Sequence, residues 1–198
     1  MKVFDCLILS WSLQLIDKFM IFKIRIDMHY TQQQLLDYLD MHQITYQMYS
    51  HAPVFTCEQA LEIITGMNIK GKGIKNLFLK DNKKKFYHIV ATDTTHIDLK
   101  SISSVLEAKG LRFADATLLM NYLGVEPGSV TPFALINDRD QSVQAIIDAD
   151  VLKQEYVQVH PLKNDATIVV TPTDLIKFFN VIGRSYIVYD FTHNQIVI

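Results

Sequence analysis

Two hydrophobic periods alternate along the chain and divide it into helices and strands. Leu35, Leu36 and Leu39 recur at helical spacing after Thr31, a residue suited to cap a helix. Ile44, Tyr46 and Met48 then alternate with polar neighbours, the period of a strand, until His51-Ala52-Pro53 breaks it. Thr56 and Gln59 have capping-box spacing and open a helix with Ala60, Leu61, Ile63 and Ile64 that stops near Gly66. The stretch IKGKGIKNLFLK, Ile69 to Lys80, passes from a loop into an apolar strand, Leu77-Phe78-Leu79, with Lys75 and Asn76 at its mouth. Asp81-Asn82 turns the chain into a second strand, Phe86 to Thr92, so that the two read as a hairpin. Asp98 and Asp115 each cap a helix, with Gly110 and Gly124 as the expected stops. Strand character resumes at Phe133 to Ile136, then at Ala145 to Ile147, Tyr156 to Val159 and Ala166 to Val170. Thr171-Pro172 starts a helix with proline at its first position; Gly183 ends it, and Tyr186 to Phe191 is a final strand.

Strands outnumber helices and several adjoin through short turns, which predicts an α+β class with a largely antiparallel or mixed sheet, not a doubly wound one. No repeat, low-complexity tract or linker follows Met28, so residues 28–191 read as one domain, with 192–198 as a tail. Residues 1–27 differ: they are rich in large apolar residues interrupted by charges, and the uninterrupted run Cys6 to Ile16 is short of the ~20 residues that span a bilayer. They are read as an atypical extension, with translation expected to start at Met28; an interfacial anchor helix is the rival reading.

A net charge of −2 argues against a chain coated with basic residues for nucleic acid. Its distribution changes that picture, because Lys70, Lys72, Lys75, Lys80, Lys83, Lys84 and Lys85 cluster with Asp81 as the single acid among them. Such a patch focuses a polyanion onto one face; Lys83 to Lys85 taken alone read as a solvated hairpin tip. Cys6 and Cys57 stand far apart without a C-x-x-C pair, which argues against a disulfide framework or cysteine-rich zinc site and fits a reducing cytoplasm. His88, His96 and His160 share no ligand spacing, so neither metal nor cofactor is expected.

Three segments combine chemistry with sharp local geometry. Lys75-Asn76 sets a positive charge on a strand beside a glycine-bearing loop, which suits a developing oxyanion. Gly128 and Pro132 bracket a tight loop whose backbone N–H groups can approach a ligand closely. His160-Pro161 is the third. The block Lys75-Asn76-Leu77-Phe78-Leu79, the Gly-x-x-x-Pro loop running into Phe133-Ala134-Leu135, and His160-Pro161 with Asn164 and Thr167 follow one another in an order that resembles the YbaK-like, prolyl-tRNA-synthetase-associated editing domains. The likeness runs over almost all of Met28 to Phe191 and is greatest to the free-standing members that clear alanyl-tRNA(Pro).

The resemblance implies a mixed, barrel-like sheet flanked by helices, and roles for particular residues. Lys75 and the backbone at Gly128 would be catalytic. Asn76, Ser129, Pro132, Phe133 and His160 would bind the aminoacyl end, and Lys70, Lys72, Lys83 and Lys84 the tRNA phosphates. The implied partner is the acceptor end of tRNA(Pro), with prolyl-tRNA synthetase as a further one; neither membrane nor DNA is expected. The implied reaction is hydrolysis of a mischarged ester by water, since no Ser-His-Asp or Cys-His arrangement suggests a covalent intermediate. Leu77, Leu79, Phe133 and Leu135 are candidates for apolar walls that admit a small amino acid. Cysteinyl-tRNA(Pro) as substrate, and a non-catalytic module that binds tRNA or another nucleotide on the same fold, are the alternatives.

Overall fold

The computed structural model describes residues 29–54 and 57–197, with the side chains of Cys57, Glu58, Ala60, Leu61 and Ile64 outside the description. The expectations for residues 1–27 and for the Thr56 cap lie outside these residues. The elements in chain order are α1 (Gln32–Met41), β1 (Tyr46–Ser50), α2 (Cys57–Gly66), β2 (Lys72–Lys80), β3 (Phe86–Thr92), α3 (Leu99–Val105), β4 (Arg112–Phe113) and α4 (Ala116–Leu123). A 3-10 helix (Pro132–Asn137) follows, then β5 (Val143–Asp148), α5 (Ala149–Leu152), β6 (Val157–Val159), β7 (Ala166–Val170), α6 (Pro172–Val181), β8 (Tyr186–Asp190) and β9 (Gln195–Ile196).

The strands form one mixed sheet in the order β1-β7-β6-β2-β3-β5-β8-β9, with β4 on the far end of β2. The β2–β6, β3–β5 and β5–β8 pairs are parallel and the others antiparallel. The class is mixed α+β with flanking helices. The sheet stays open between β1 and β9, so barrel-like describes it only loosely.

Central strands are covered on both faces, which is why β3 reads as a continuous apolar run with all seven residues buried. Phe78, Phe86, Ala145 and Ile147 face a large core shared with Leu35 and Leu39 of α1, Leu119 and Leu123 of α4, and Phe178 and Phe179 of α6. Their alternate neighbours Leu79, Tyr87, Ile89 and Ile146 face a second core closed by Ile102 of α3. The local start signals behave as expected: Thr31 forms a reciprocal capping box with Gln34, and Asp98, Asp115 and Thr171 accept backbone N–H bonds at their helix starts.

Three departures matter. Phe133 to Ile136 is not a strand but the interior of the 3-10 helix, buried throughout. A short run that is apolar on every side carries no period to separate helix from strand, and Pro132 at its start favours helical backbone. Gly110 does not stop α3, which ends five residues earlier with Glu107 at a φ of 52°; Gly110 instead lets the backbone pass Asn82, whose amide a Cβ would meet at 2.4 Å. Finally, β2 begins at Lys72, so Lys75 and Asn76 lie inside the strand rather than at its mouth.

Candidate functional site

The site begins with a break in the sheet. One edge of β2 pairs with β3 from Ile74 to Lys80. Its other edge pairs with β6 only at Lys72 and Gly73, and with β4 only at Leu79 and Lys80. Between them, Ile74 to Leu77 have no strand partner on that edge among the described residues. Lys75 lies two residues beyond the Gly73–Gln158 pair, and His160 lies two residues beyond the same pair on the parallel strand. The two therefore stand level where β2 and β6 part.

Alternation along β2 sends Lys75 to the side of Leu77 and Leu79, where its Nζ donates to the carbonyls of Asp93 (3.2 Å) and Thr95. Carbonyl partners orient an ammonium without cancelling its charge. The nearby carboxylate of Asp93 is engaged by Lys72, with Nζ at 2.6 Å from Oδ1. Thr95 in turn donates its hydroxyl to Asp148, the cap of α5. Thus the turn after β3 holds both lysines.

Asn76 points the other way, into the main core, where its Oδ1 is 3.2 Å from Nε2 of His88. His88 is wholly buried, and burial, with a smaller push from the Arg184 guanidinium, lowers its pKa to about 3. The ring is neutral at pH 7, its Nε2–H donates to Asn76, and Nδ1 has no hydrogen-bond partner. Arg184, also buried, pairs with Asp138 at 2.9 Å and donates to the carbonyls of Leu135, Asp138 and Val143. That network ties the end of the 3-10 helix to β5 and so anchors the loop that enters the helix.

The loop is the Gly-x-x-x-Pro segment. Gly128 has a φ of +89°, a conformation L side chains rarely adopt, while a Cβ there would meet only Asn164 Nδ2, at 4.0 Å. The glycine is required by backbone conformation, not by crowding. Ser129 is buried and its N–H closes a turn onto Glu126 O; Thr131 is fully buried with an unpartnered hydroxyl. Asn164 beside the loop exchanges hydrogen bonds with Val54 through Nδ2 (2.9 Å) and its carbonyl (3.3 Å). Next to it His51 Nε2 lies 3.0 Å from Thr167 Oγ1, and His160 Nδ1 lies 3.1 Å from Ala166 O. Burial lowers the His160 pKa, His51 adds to the effect, and the Ala166 carbonyl opposes it. A neutral His160 that donates from Nδ1 keeps Nε2 as an acceptor.

Residues 51–178, more than half of the chain, match the aminoacyl-tRNA editing domain. The chain belongs to that family. An editing domain of this kind hydrolyses the ester of an aminoacyl-tRNA, and so the chain is a deacylase. The prolyl-tRNA editing protein ProX of Acetoanaerobium sticklandii is 34% identical over 156 residues, 78% of this chain and 94% of that protein. The prolyl-tRNA synthetase associated domain-containing protein 1 of Xenopus laevis is 34% identical over 165 residues, 81% of this chain and 96% of the relative. A solved structure of a proposed trans-editing enzyme for prolyl tRNA synthetase superposes with a TM-score of 0.60, covering 81% of this chain and 96% of that one; at 17% identity it supports the fold alone.

Within the editing domain, the sequence-derived residues fall into distinct places. His160, the Gly128–Pro132 loop and Asn164 form one neighbourhood, and Lys75 stands across the break in the sheet, level with His160. Phe133 is fully buried edge-to-face against Phe178, its ring committed to the main core. Leu79 packs in the second core and Leu135 in the main one, so Leu79, Phe133 and Leu135 do not wall one pocket. Lys70 and Lys72 border an open groove of about 600 Å³. Lys83 and Lys84 sit exposed at the β2–β3 turn, which Asp81 organises by accepting from the N–H groups of Lys83 and Lys85. Eight strand steps separate Lys72 from Lys80, roughly 26 Å at about 3.3 Å per residue, so the lysine cluster divides between the two ends of β2. Asp93 and Thr95 escaped the sequence reading, His88 entered it only as a metal-ligand candidate set aside, and the place of His51 in the site was not foreseen. His51-Ala52-Pro53 stood out only as a strand breaker, and Asp93, Thr95 and the link from His88 to Asn76 carry no local motif. Among the described residues no helix is long and apolar enough to cross a membrane.

Proposed function

We propose that this chain clears mischarged tRNA(Pro) in trans, with alanine as the amino acid removed. The observation that carries the reading is the stretch Ile74 to Leu77 of β2, which has no strand partner on one edge among the described residues. It sets an ammonium with uncancelled charge on one side of the break, and His160 with the Gly128 loop on the other. A gap between strands is where groups from both faces of a sheet can reach the same ligand.

The RNA end enters this break with its ester carbonyl near Lys75. Water attacks the carbonyl, helped by the neighbouring 2′-OH of the terminal ribose, and the 3′ oxygen leaves. Lys75 and the loop amides stabilise the tetrahedral oxyanion, each such donor being worth on the order of 3 kcal/mol. Lys75 acts as charge and positioning group, not as base. Asn76, held by His88, fixes the strand beside it, and Ser129, Pro132 and His160 shape the aminoacyl end of the site. A synthetase pocket built for proline excludes smaller amino acids by only about 1–3 kcal/mol, which is why a second hydrolytic site is needed. The likeness to ProX, a prolyl-tRNA editing protein, supports tRNA(Pro) as carrier, and the match over 94% of ProX supports action in trans. The site of action is the cytoplasm, with prolyl-tRNA synthetase as the enzyme whose errors are cleared.

Separate incubation with alanyl-, cysteinyl- and prolyl-tRNA(Pro), following loss of ester, tests this. Preferential loss of alanine is expected. Preferential loss of cysteine would replace the substrate and keep the reaction; loss from none would leave only an RNA-binding module.

A further inference from the structure

A second feature lies along the strand from Lys75. Lys75 and Lys72 are both held by Asp93. Lys72 and Lys70 border the open groove together with Tyr156. Lys70 and Tyr156 also line a smaller cleft of about 250 Å³, with Tyr46, Gln47, Thr171 and Asp174 on the other walls. Groove and cleft therefore share Lys70 and Tyr156 as a common wall, and Asp93 links Lys72 of the groove to Lys75.

Tyr156 is mounted in an unusual way. Its carbonyl accepts from Lys72 N at 2.9 Å, and Gly71, at a φ of +96°, presses so close that a Cβ would lie 3.0 Å from the Tyr156 carbonyl carbon, oxygen and Cβ. The backbone is fixed while the side chain stays 36% exposed, outside both cores. Tyr46 lines the cleft and is half-buried against the main core. Rigid aromatic faces beside flexible cations are what stacks a nucleobase while holding its phosphate. Charge placement agrees. Asp174 within the cleft accepts from Thr45 N and the Thr171 hydroxyl, which disfavours a phosphate there. Lys70 offers a cation in the adjoining groove, where Lys72 is paired with Asp93 and Glu155 is the acid on the wall. The cleft is also below the roughly 300–1,000 Å³ that buries a whole drug-sized ligand, and suits one flat group.

We infer that the Tyr46–Tyr156 cleft is a base-binding subsite for the single-stranded RNA segment leading to Lys75, with the Lys70–Lys72 groove taking the intervening phosphates. The inference rests on the proposed action on a tRNA end, and extends it to how the strand is gripped away from the ester. Stacking on Tyr156 sets the strand's register and so which nucleotide reaches Lys75.

The test uses the full chain and an uncharged, fluorescently labelled single-stranded RNA ending in CCA, with binding read by anisotropy. Base–aromatic stacking of about 1–3 kcal/mol corresponds to roughly 5- to 150-fold in affinity. Tyr156→Ala is expected to weaken binding within that range, and Tyr156→Phe to bind as the unaltered chain does. Unchanged thermal unfolding of both variants checks the fold. Equal affinity for the alanine variant, no binding by the unaltered chain, or a phenylalanine variant as weak as the alanine one would overturn the inference. The readout is independent of ester hydrolysis. Tyr156-dependent binding without deacylation would remove the proposed reaction and keep the subsite, and deacylation with Tyr156-independent binding would do the reverse.

Discussion

His88 offers a prediction whose size follows from its surroundings. A fully buried imidazole with one hydrogen bond and a nearby guanidinium stays neutral in the native state down to a pKa of about 3, against 6.5 for the free side chain. Below pH 6.5 the unfolded chain takes up a proton that the folded chain refuses. The unfolded state then binds more protons, and native stability falls with falling pH until about pH 3. From pH 7 to pH 5 the loss from this one group is about 2 kcal/mol, from 1.36 kcal/mol per pH unit below the unfolded pKa. That figure depends on the unfolded value alone so long as the native pKa lies well under 5. His88→Gln keeps a donor for Asn76 Oδ1 and removes the titration. The variant is expected to be less stable at pH 7, where the Gln fits the cavity imperfectly, yet to lose about 2 kcal/mol less than the unaltered chain on going to pH 5. Urea unfolding at pH 7, 6 and 5 measures this difference, with the carboxylates and the other histidines cancelling between the two proteins. Parallel pH profiles would show that His88 titrates in the native state, and the account of a dry, neutral imidazole behind Asn76 would be wrong.

Other expectations are simpler to state. Lys75→Ala should cut the rate of ester hydrolysis by about 10²–10³, the scale of one lost oxyanion-stabilising group, while leaving the unfolding midpoint in place; full activity would remove Lys75 from the chemistry. Gly128→Ala should cost about 1–2 kcal/mol in stability from its left-handed backbone, since there is room for the methyl group. Its deacylation rate should fall further than that loss explains, as single-turnover measurements with a folded-fraction correction would show. Arg184→Met leaves Asp138 buried and uncompensated, and should destabilise the chain by about 3–5 kcal/mol in urea unfolding.

Much of the fold was legible because its signals are local. The capping residues Thr31, Asp98, Asp115 and Thr171 and the stop at Gly124 act within four residues of themselves, and all five do what their neighbours in sequence predict. The β2–β3 hairpin and β7 were equally plain, one from its turn and the other from an apolar run. The two-residue strands β4 and β9 were not, since a period cannot be seen in two positions. Nor was the 3-10 helix, whose burial on every side erased the pattern that would have revealed it.

The candidate site divides along the same line. Residue type and order alone brought out Lys75, the Gly128–Pro132 loop and His160, because a fixed cation, a left-handed glycine and a histidine after an apolar run are properties of short segments. Their arrangement came from pairing across long sequence separations. Gly73 against Gln158 sets Lys75 level with His160, and the abrupt end of that pairing opens the sheet beside them. Asn76 shows the difference most clearly. In sequence it is a polar neighbour of the lysine, and only the folded chain turns it inward to meet His88. Local composition thus determined which chemical groups the chain carries, whereas the sheet decided their direction, since a strand sends successive side chains to opposite faces and only its partners determine what lies on each.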